Sequence, residues 1–271
     1  VKKLLALGFG LGAVGIGWLA YGALVEAKRL TVERRTLRLP RWPRRLDGYT
    51  IAVLADLHVR DAYSVELARR AVELALDENP DIVVLPGDLV GHWMPESPWL
   101  LEAVLEPLLL MEGAVIAIPG NHEYWGGDAS LLAPILDELN IRYLRNEVYN
   151  HAGINWVGID SLNAQRANPG GPLAVALLED DPVVVLWHEP DAVDLLPAGA
   201  DLMIAGHSHG GQWRFPWGWT PMSTRNGEKY VEGFFPEAPT PLYVSRGVGT
   251  TGPPARLGVL PEVSILRLVS G

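Results

Sequence analysis

The spacing of apolar positions changes along the chain and divides it into elements. Residues 4–25 are apolar or glycine throughout, with Lys2 and Lys3 before them and Lys28 and Arg29 after. A run of that length meets the roughly 20 residues a helix needs to cross a bilayer. It is longer than the apolar centre of a cleaved secretory signal, and no clear small-residue cleavage site follows it. The expectation is an uncleaved N-terminal anchor within residues 1–29, with a cleaved signal and a buried helix or peripheral hairpin as alternatives. Basic residues at both ends leave its orientation open. Next, Leu30 and Val32, then Leu37 and Leu39, alternate with polar positions. This predicts an arginine-rich edge strand, ended by Pro40 and Pro43.

Beyond residue 48, short continuous apolar runs alternate with helical periodicity. Residues 49–55, 82–86, 115–119, 154–159, 183–187 and 201–205 read as buried strands, with later strands at 242–245 and 263–269. Between them, Leu67, Ala68, Ala71, Val72, Ala75 and Leu76 recur at helical spacing, which predicts a helix over 64–79 capped by Ser64. A second helical region, 99–111, should break or kink near Pro107, and shorter helices are expected at 130–139 and 172–178. The alternation predicts an α/β fold, with one catalytic domain over residues 30–271.

What sets these strands apart is the residues that follow them. Asp56-Leu57-His58, Gly87-Asp88, Gly120-Asn121-His122-Glu123, His188 and Gly206-His207-Ser208-His209 each come after an apolar run. Ligands gather at such strand ends in open α/β sheets. Together Asp56, His58, Asp88, Asn121, His188, His207 and His209 offer two carboxylates, one amide oxygen and four imidazoles. One zinc site uses only three or four protein ligands. The set suits two divalent ions roughly 3.5–4 Å apart, bridged by a carboxylate such as Asp88, with a water between them made acidic. His151 reads as a turn or surface residue. His92, only four positions after Asp88, is less settled.

Composition narrows the chemistry. The formal charge of -10 argues against a general nucleic-acid binder. With no cysteine there is no disulfide, thiolate nucleophile or cysteine-ligated zinc. Neither GxGxxG nor GxxxxGK[ST] is present, so dinucleotide and P-loop readings have no motif.

The five blocks, in this order, resemble the calcineurin-like metallophosphoesterase superfamily over residues 49–268. That resemblance implies a two-sheet β-sandwich flanked by helices, in four layers α/β/β/α. It implies a binuclear metal-dependent phosphoesterase with Asp56, His58 and His209 on the first ion, Asp88 on both, and Asn121, His188 and His207 on the second. It also implies that His122 is catalytic rather than a ligand, stabilising transferred charge or protonating the leaving oxygen. These ligand types suit manganese, zinc or an iron-containing mixed pair.

Gly210-Gly211-Gln212 and the segment Tyr243-Val244-Ser245-Arg246-Gly247 look most like a membrane-associated bacterial branch. That branch implies an inner-membrane location through the single N-terminal segment. Glu123, Glu189 and Asp191 either orient ligands or occupy solvated loops. Arg246 either contacts phosphate or closes an ion pair, and Gly210-Gly211 supplies backbone freedom.

Trp213, Phe215, Trp217 and Trp219 cluster after the last histidine. The rings are expected to line an apolar groove, to rest at a bilayer interface, or to cap the domain. The reading that joins these features is a phosphoesterase acting near a membrane on a phosphodiester or lipid-linked phosphate. Alternatives are a UDP-2,3-diacylglucosamine pyrophosphatase-like reaction, a broad phosphomonoesterase and an inactive metal-binding membrane scaffold or sensor.

Overall fold

The structure is a computed structural model that describes residues 15–215, 217–221 and 223–271. The continuous apolar runs become the inner strands of two sheets. One sheet holds β1 (Thr31–Leu39), β12 (Glu262–Ser270), β2 (Thr50–Val53), β3 (Ile82–Pro86), β4 (Val115–Ile118) and β5 (Arg142–Tyr143), in that spatial order. The other holds β10 (Gly233–Phe235), β11 (Leu242–Val244), β9 (Leu202–Ala205), β8 (Val183–Leu186), β7 (Ile154–Gly158) and β6 (Glu147–His151). From β2 to β5 and from β7 through β8 and β9 to β11 the strands are parallel, so their C-terminal ends open on one side.

Strand alternation sorts the side chains into layers. Ile51, Val53, Ile82, Val84, Ile116 and Ile118 face Trp156, Val184, Leu186, Leu202 and Ile204 between the sheets. Their neighbours Ala52, Leu54, Val83, Leu85, Val115 and Ala117 face outward, under α1 (Ala62–Asp77), α2 (Ser97–Leu105) and α3 (Leu132–Glu138). On the far side, Val157, Val185 and Met203 pack under α4 (Gly170–Ala176) and the 3-10 turn Pro190–Leu195. Strands buried on both faces must be apolar at every position, which is why they read as unbroken runs. The result is the four-layer α/β/β/α arrangement.

Some boundaries differ from the sequence reading for identifiable reasons. Helix α1 starts at Ala62 and its cap is Asp61, not Ser64. The Asp61 carboxylate accepts the Ser64 N–H at 2.8 Å while the Ser64 hydroxyl accepts the Asp61 N–H at 2.9 Å, a reciprocal box that starts the helix earlier. The break near Pro107 is present: α2 ends at Leu105 and a 3-10 turn runs Glu106–Met111. Strands β5, β6 and β10 are short or half-polar edge pieces that carry little periodic signal.

The apolar run at residues 4–25 lies partly outside the described residues. Residues 15–24 are helical, and no described helix is long and apolar enough to cross a membrane. The end of this helix is docked on the folded body: the Arg256 N–H donates to Gly22 O at 3.2 Å and the Tyr63 hydroxyl to Ala27 O at 3.1 Å. A Cβ on Gly22 would lie 2.7 Å from Arg256 O, so the approach needs glycine.

Candidate metal centre

The turns after β2, β3 and β4 of one sheet meet those after β8 and β9 of the other. To turn sharply enough, Asp56, His58, Asp88, His207 and His209 adopt φ of 53°, 48°, 54°, 68° and 52°. Left-handed backbone costs a non-glycine residue on the order of 1–3 kcal/mol, and it persists where the surroundings over-determine it. Here they do. The His207 N–H donates to both Asp56 oxygens at 3.0 Å, and the His122 N–H to Asp88 Oδ1 at 2.8 Å. The His58 N–H reaches Asp88 O at 3.0 Å, and the Gly249 N–H reaches Asp56 O at 2.7 Å. Close approach also requires Gly206 and Gly247, where a Cβ would lie 2.5 and 2.6 Å from Asp56 atoms.

Three groups of ligand-type atoms result: Asp56, His58 and His209; Asp88, His188 and His207; and His58, Asp88 and His122. His58 Nε2 and His209 Nε2 face each other at 3.0 Å, and His207 Nδ1 faces His188 Nε2 at 3.2 Å. His188 Nε2 stands 3.1 Å from Asp88 Oδ2 and 3.9 Å from Asp56 Oδ1, so the two groups share neighbours. Backbone carbonyls select the tautomers. His188 donates Nδ1–H to Pro86 O at 2.8 Å, and His207 donates Nε2–H to Arg225 O at 2.9 Å. That leaves His188 Nε2 and His207 Nδ1 with lone pairs turned inward.

The arrangement fits cations. With Nδ1–H committed to Pro86 O, a neutral His188 turns its Nε2 lone pair toward Asp88 Oδ2 and His207 Nδ1, a set that is mutually repulsive unless a positive charge lies among it. Asn121 Oδ1 is also buried with no hydrogen-bond partner, as expected of an oxygen reserved for a metal. Burial pushes Asp56 up to about 7, the charge on Asp88 adding to the effect while His188 opposes it. Burial also works to raise Asp88, yet the imidazoles of His188, His122 and His58 hold it well below the usual carboxylate range. His58 and His209 are held well below the ordinary imidazole value, chiefly by burial. His188 goes the other way, burial being overcome by Asp88. Asp56, short of counter-charge beside His58 and His209 that resist protonation, and Asp88, paired with His188, form a donor set for divalent ions.

His122 belongs to the same cluster but is set differently. Its Nδ1 is 2.6 Å from Gly91 O, its ring lies 3.6 Å from Trp125, and its Nε2 is 3.9 Å from Asp88 Oδ2. It lines a cavity of about 450 Å³ together with Asp88, Asn121, His207, Tyr124, Trp125 and Arg225. The aromatic residues of this cavity are Tyr124 and Trp125. Trp217 and Trp219 instead face outward, 70% and 55% exposed.

Around the ligands, buried polar groups hold the turns. Glu123 accepts N–H bonds from Asp88, Leu89, Val90 and Gly120 at 2.7–3.1 Å, clamping two ligand turns together. Burial pushes its carboxyl up to about 7, with Asp88 acting in the same direction. Glu189 accepts from the Ser161 hydroxyl at 2.5 Å and from the N–H groups of Leu162 and Asn163. Asp191 accepts the N–H groups of Glu228, Lys229 and Tyr230. All three acids hold loops. Arg246 closes an ion pair with Glu262 at 2.6 Å, and Gly210 and Gly211 take φ of 61° and 79°. His92 is exposed and stands outside the three groups.

Arg256 has no role assigned from the sequence. It is fully buried, donates to the carbonyls of Arg246, Gly247 and Gly249, and places Nη2 at 3.3 Å from His209 Nδ1. Burial lowers its pKa to about 10. Asn163, also unremarked, has Nδ2 at 3.1 Å from His207 Nε2.

A fold of two sheets between helices, with a binuclear cluster at the strand ends, defines a metal-dependent hydrolase. The calcineurin-like phosphoesterase signature spans residues 49–211, and the chain belongs to that family. It is 31% identical over 99% of its length to an uncharacterized metallophosphoesterase of Helicobacter pylori, covering 71% of that protein. It is 32% identical to the phosphodiesterase YaeI of Escherichia coli, over 82% of each chain. Among solved structures, a dimetal phosphatase from Danio rerio shares the fold at a TM-score of 0.50 and 17% identity, over 74% of this chain and 88% of that one.

Proposed function

We propose that the protein is a binuclear-metal phosphodiesterase working at a membrane, with a lipid-linked phosphate as its substrate class. The observation that carries the hydrolytic part is the convergence of inward lone pairs from His188 and His207 on Asp88, beside the unpartnered Asn121 oxygen. In this reading Asp56, His58 and His209 hold one ion, Asn121, His188 and His207 the other, and Asp88 both. Manganese or zinc suits this mixture of oxygen and imidazole donors, and an iron-containing pair is the alternative. Two divalent ions bound there supply Lewis-acid charge on the phosphate and a water ready to attack phosphorus.

The side chains do the remaining work. His122 donates Nδ1–H to Gly91 O, which fixes its ring and leaves Nε2 toward the cavity. When protonated, Nε2 gives its proton to the leaving oxygen as the bond to phosphorus breaks. Trp125 covers one face of the ring and limits water there. Arg225, exposed at the cavity wall, meets the charge of the substrate. The name of the Escherichia coli relative supports a diester. The apolar sequence at residues 4–25 supports membrane attachment by residues 1–29 of a catalytic domain at 30–271, as in the bacterial inner-membrane branch. The net charge of -10 favours no nucleic-acid partner.

The test compares bis-p-nitrophenyl phosphate with p-nitrophenyl phosphate, with manganese or with a chelator. Manganese-dependent diester cleavage, lost in His122→Ala with two ions still bound, is the expected outcome. A fully metallated protein that turns over neither compound sinks the enzymatic reading. Monoester turnover alone moves the assignment to a phosphomonoesterase.

A further inference from the structure

The exposed rings after His209 do not stand alone. Trp18, in the helix over residues 15–24, lies 5.8 Å from Phe215, which stacks on Trp217 at 5.0 Å and on Trp219 at 5.4 Å. Ile16, Leu19, Tyr21, Leu24 and Val25 are 42–70% exposed on the same docked segment. A shared backbone frame joins the two pieces. The Arg256 N–H bonds to Gly22 O, the Arg214 N–H bonds to Leu257 O at 2.7 Å, and the Gly258 N–H bonds to Glu26 Oε2 at 2.6 Å. One surface therefore gathers large apolar side chains from two distant parts of the sequence. Soluble surfaces rarely carry contiguous apolar patches of this kind without a partner.

Three observations identify what covers it. The sequence immediately upstream, residues 4–14, contains only apolar residues and glycine. An aqueous partner surface offers that stretch nothing, whereas a bilayer takes it. Trp18, Tyr21, Trp217 and Trp219 are exposed on this face, and tryptophan and tyrosine are the residues that favour the headgroup level of a membrane. Lys28 and Arg29 close the segment where the chain enters the folded body, a common arrangement at a membrane boundary.

We propose that the face built from residues 16–25 and the Trp217 and Trp219 loop lies on a lipid bilayer as a second contact beside the N-terminal segment. This rests on the membrane reading above and adds an orientation to it. A few residues beyond Trp219 the chain reaches Ser223, Thr224 and Arg225, which wall the metal cavity. The buried Arg256 ties the same frame to His209. The cavity wall thus begins four residues along the chain from the docked face, and in this proposal a headgroup phosphate reaches it from the plane of the membrane. Arg225 is placed to meet it first.

The chain has no cysteine, so a single introduced cysteine takes one fluorophore. Full-length Trp217→Cys and Leu178→Cys proteins are labelled with an environment-sensitive dye and reconstituted into vesicles of phosphatidylethanolamine and phosphatidylglycerol. Leu178 is 82% exposed and follows α4, near the starts of β8 and β9 and so at the opposite end of the strands. Lipids carrying a shallow doxyl group should quench the Trp217→Cys label about twofold or more and leave the Leu178→Cys label unchanged, as interfacial depth requires. Equal quenching at both positions, or none at position 217 in protein that floats with the vesicles, overturns the docked face while leaving the anchor reading intact. Shielding of the 217 label from iodide without doxyl quenching assigns the face to a second copy, and also overturns it. Failure of the full-length chain to float with vesicles removes the membrane reading itself.

Discussion

Only Gly210 to Gln212 separate His209, the last histidine of the cluster, from the aromatic loop, yet the two stretches are built on opposite terms. In the ligand turns the backbone is tied inside the protein, while Asn121 Oδ1 and His58 Nδ1 are left buried without a partner. Glu123 alone takes four N–H groups, and backbone bonds hold five residues at positive φ. In the aromatic loop the rings touch mainly each other, and two of them are more than half exposed. A reacting centre needs its atoms fixed within about half an ångström, which internal hydrogen bonds achieve. A contact surface needs apolar area presented outward, and rigidity there contributes little. The difference separates a part of the molecule fixed by internal hydrogen bonds from one that presents apolar area outward.

Four measurements would sharpen or break this contrast, and the largest effect belongs to Asp88. Asp88→Asn removes the carboxylate within reach of both ligand groups. Turnover should fall by about 10⁴-fold or more, equivalent to over 5 kcal/mol of transition-state stabilisation. Metal analysis of the purified variant should find fewer than two ions, and full metallation with full activity would contradict the shared role.

Next is Glu123→Ala, which strands four buried N–H groups. Urea unfolding should show a loss of about 3–5 kcal/mol, while Glu123→Gln, which keeps an accepting oxygen, should lose less. Indistinguishable unfolding curves for the two variants would mean that the clamp is not electrostatic.

Comparable in free energy is the effect of His122→Ala. A drop of about 10²–10⁴-fold in kcat is expected, with both ions retained. Loss of an ion instead would place His122 among the ligands, as its proximity to His58 and Asp88 also permits. The smallest effect falls on the other side of the comparison. Trp217→Ala should leave stability within about 0.5 kcal/mol, because an exposed ring contributes little to the core, and should leave hydrolysis of a water-soluble diester unchanged. A large loss on either readout would show that the loop is part of the catalytic framework.

The strand ends and their ligand types could be read directly because each inner strand is buried on both faces and stops abruptly at a polar residue. Asp56, His58, Asp88, Asn121, His188, His207 and His209 do meet at one place. Other features had no local signature. Glu123 binds N–H groups of residues 33 to 35 positions earlier, a pairing that no periodicity encodes. Arg256 looks like any loop arginine until the fold encloses it. Asp61 caps a first turn that carries no apolar spacing, since the periodic positions begin only at Leu67. The aromatic cluster kept three readings open, since sequence says which rings are neighbours in the chain but not which way they face.

The two principal ligand groups each straddle the sandwich. Asp56 and His58 come from one sheet and His209 from the other; Asp88 comes from the first sheet, and His188 and His207 from the second. An ion in either group is therefore a rivet through two stacked plates. Stripping the ions should loosen the plates against sideways slip before it unravels either one. Amide protons near the strand ends at the riveted rim should then exchange faster than those at the far rim, where Arg41 pairs with Asp201 and Arg45 with Asp181 across the sheets without any ion.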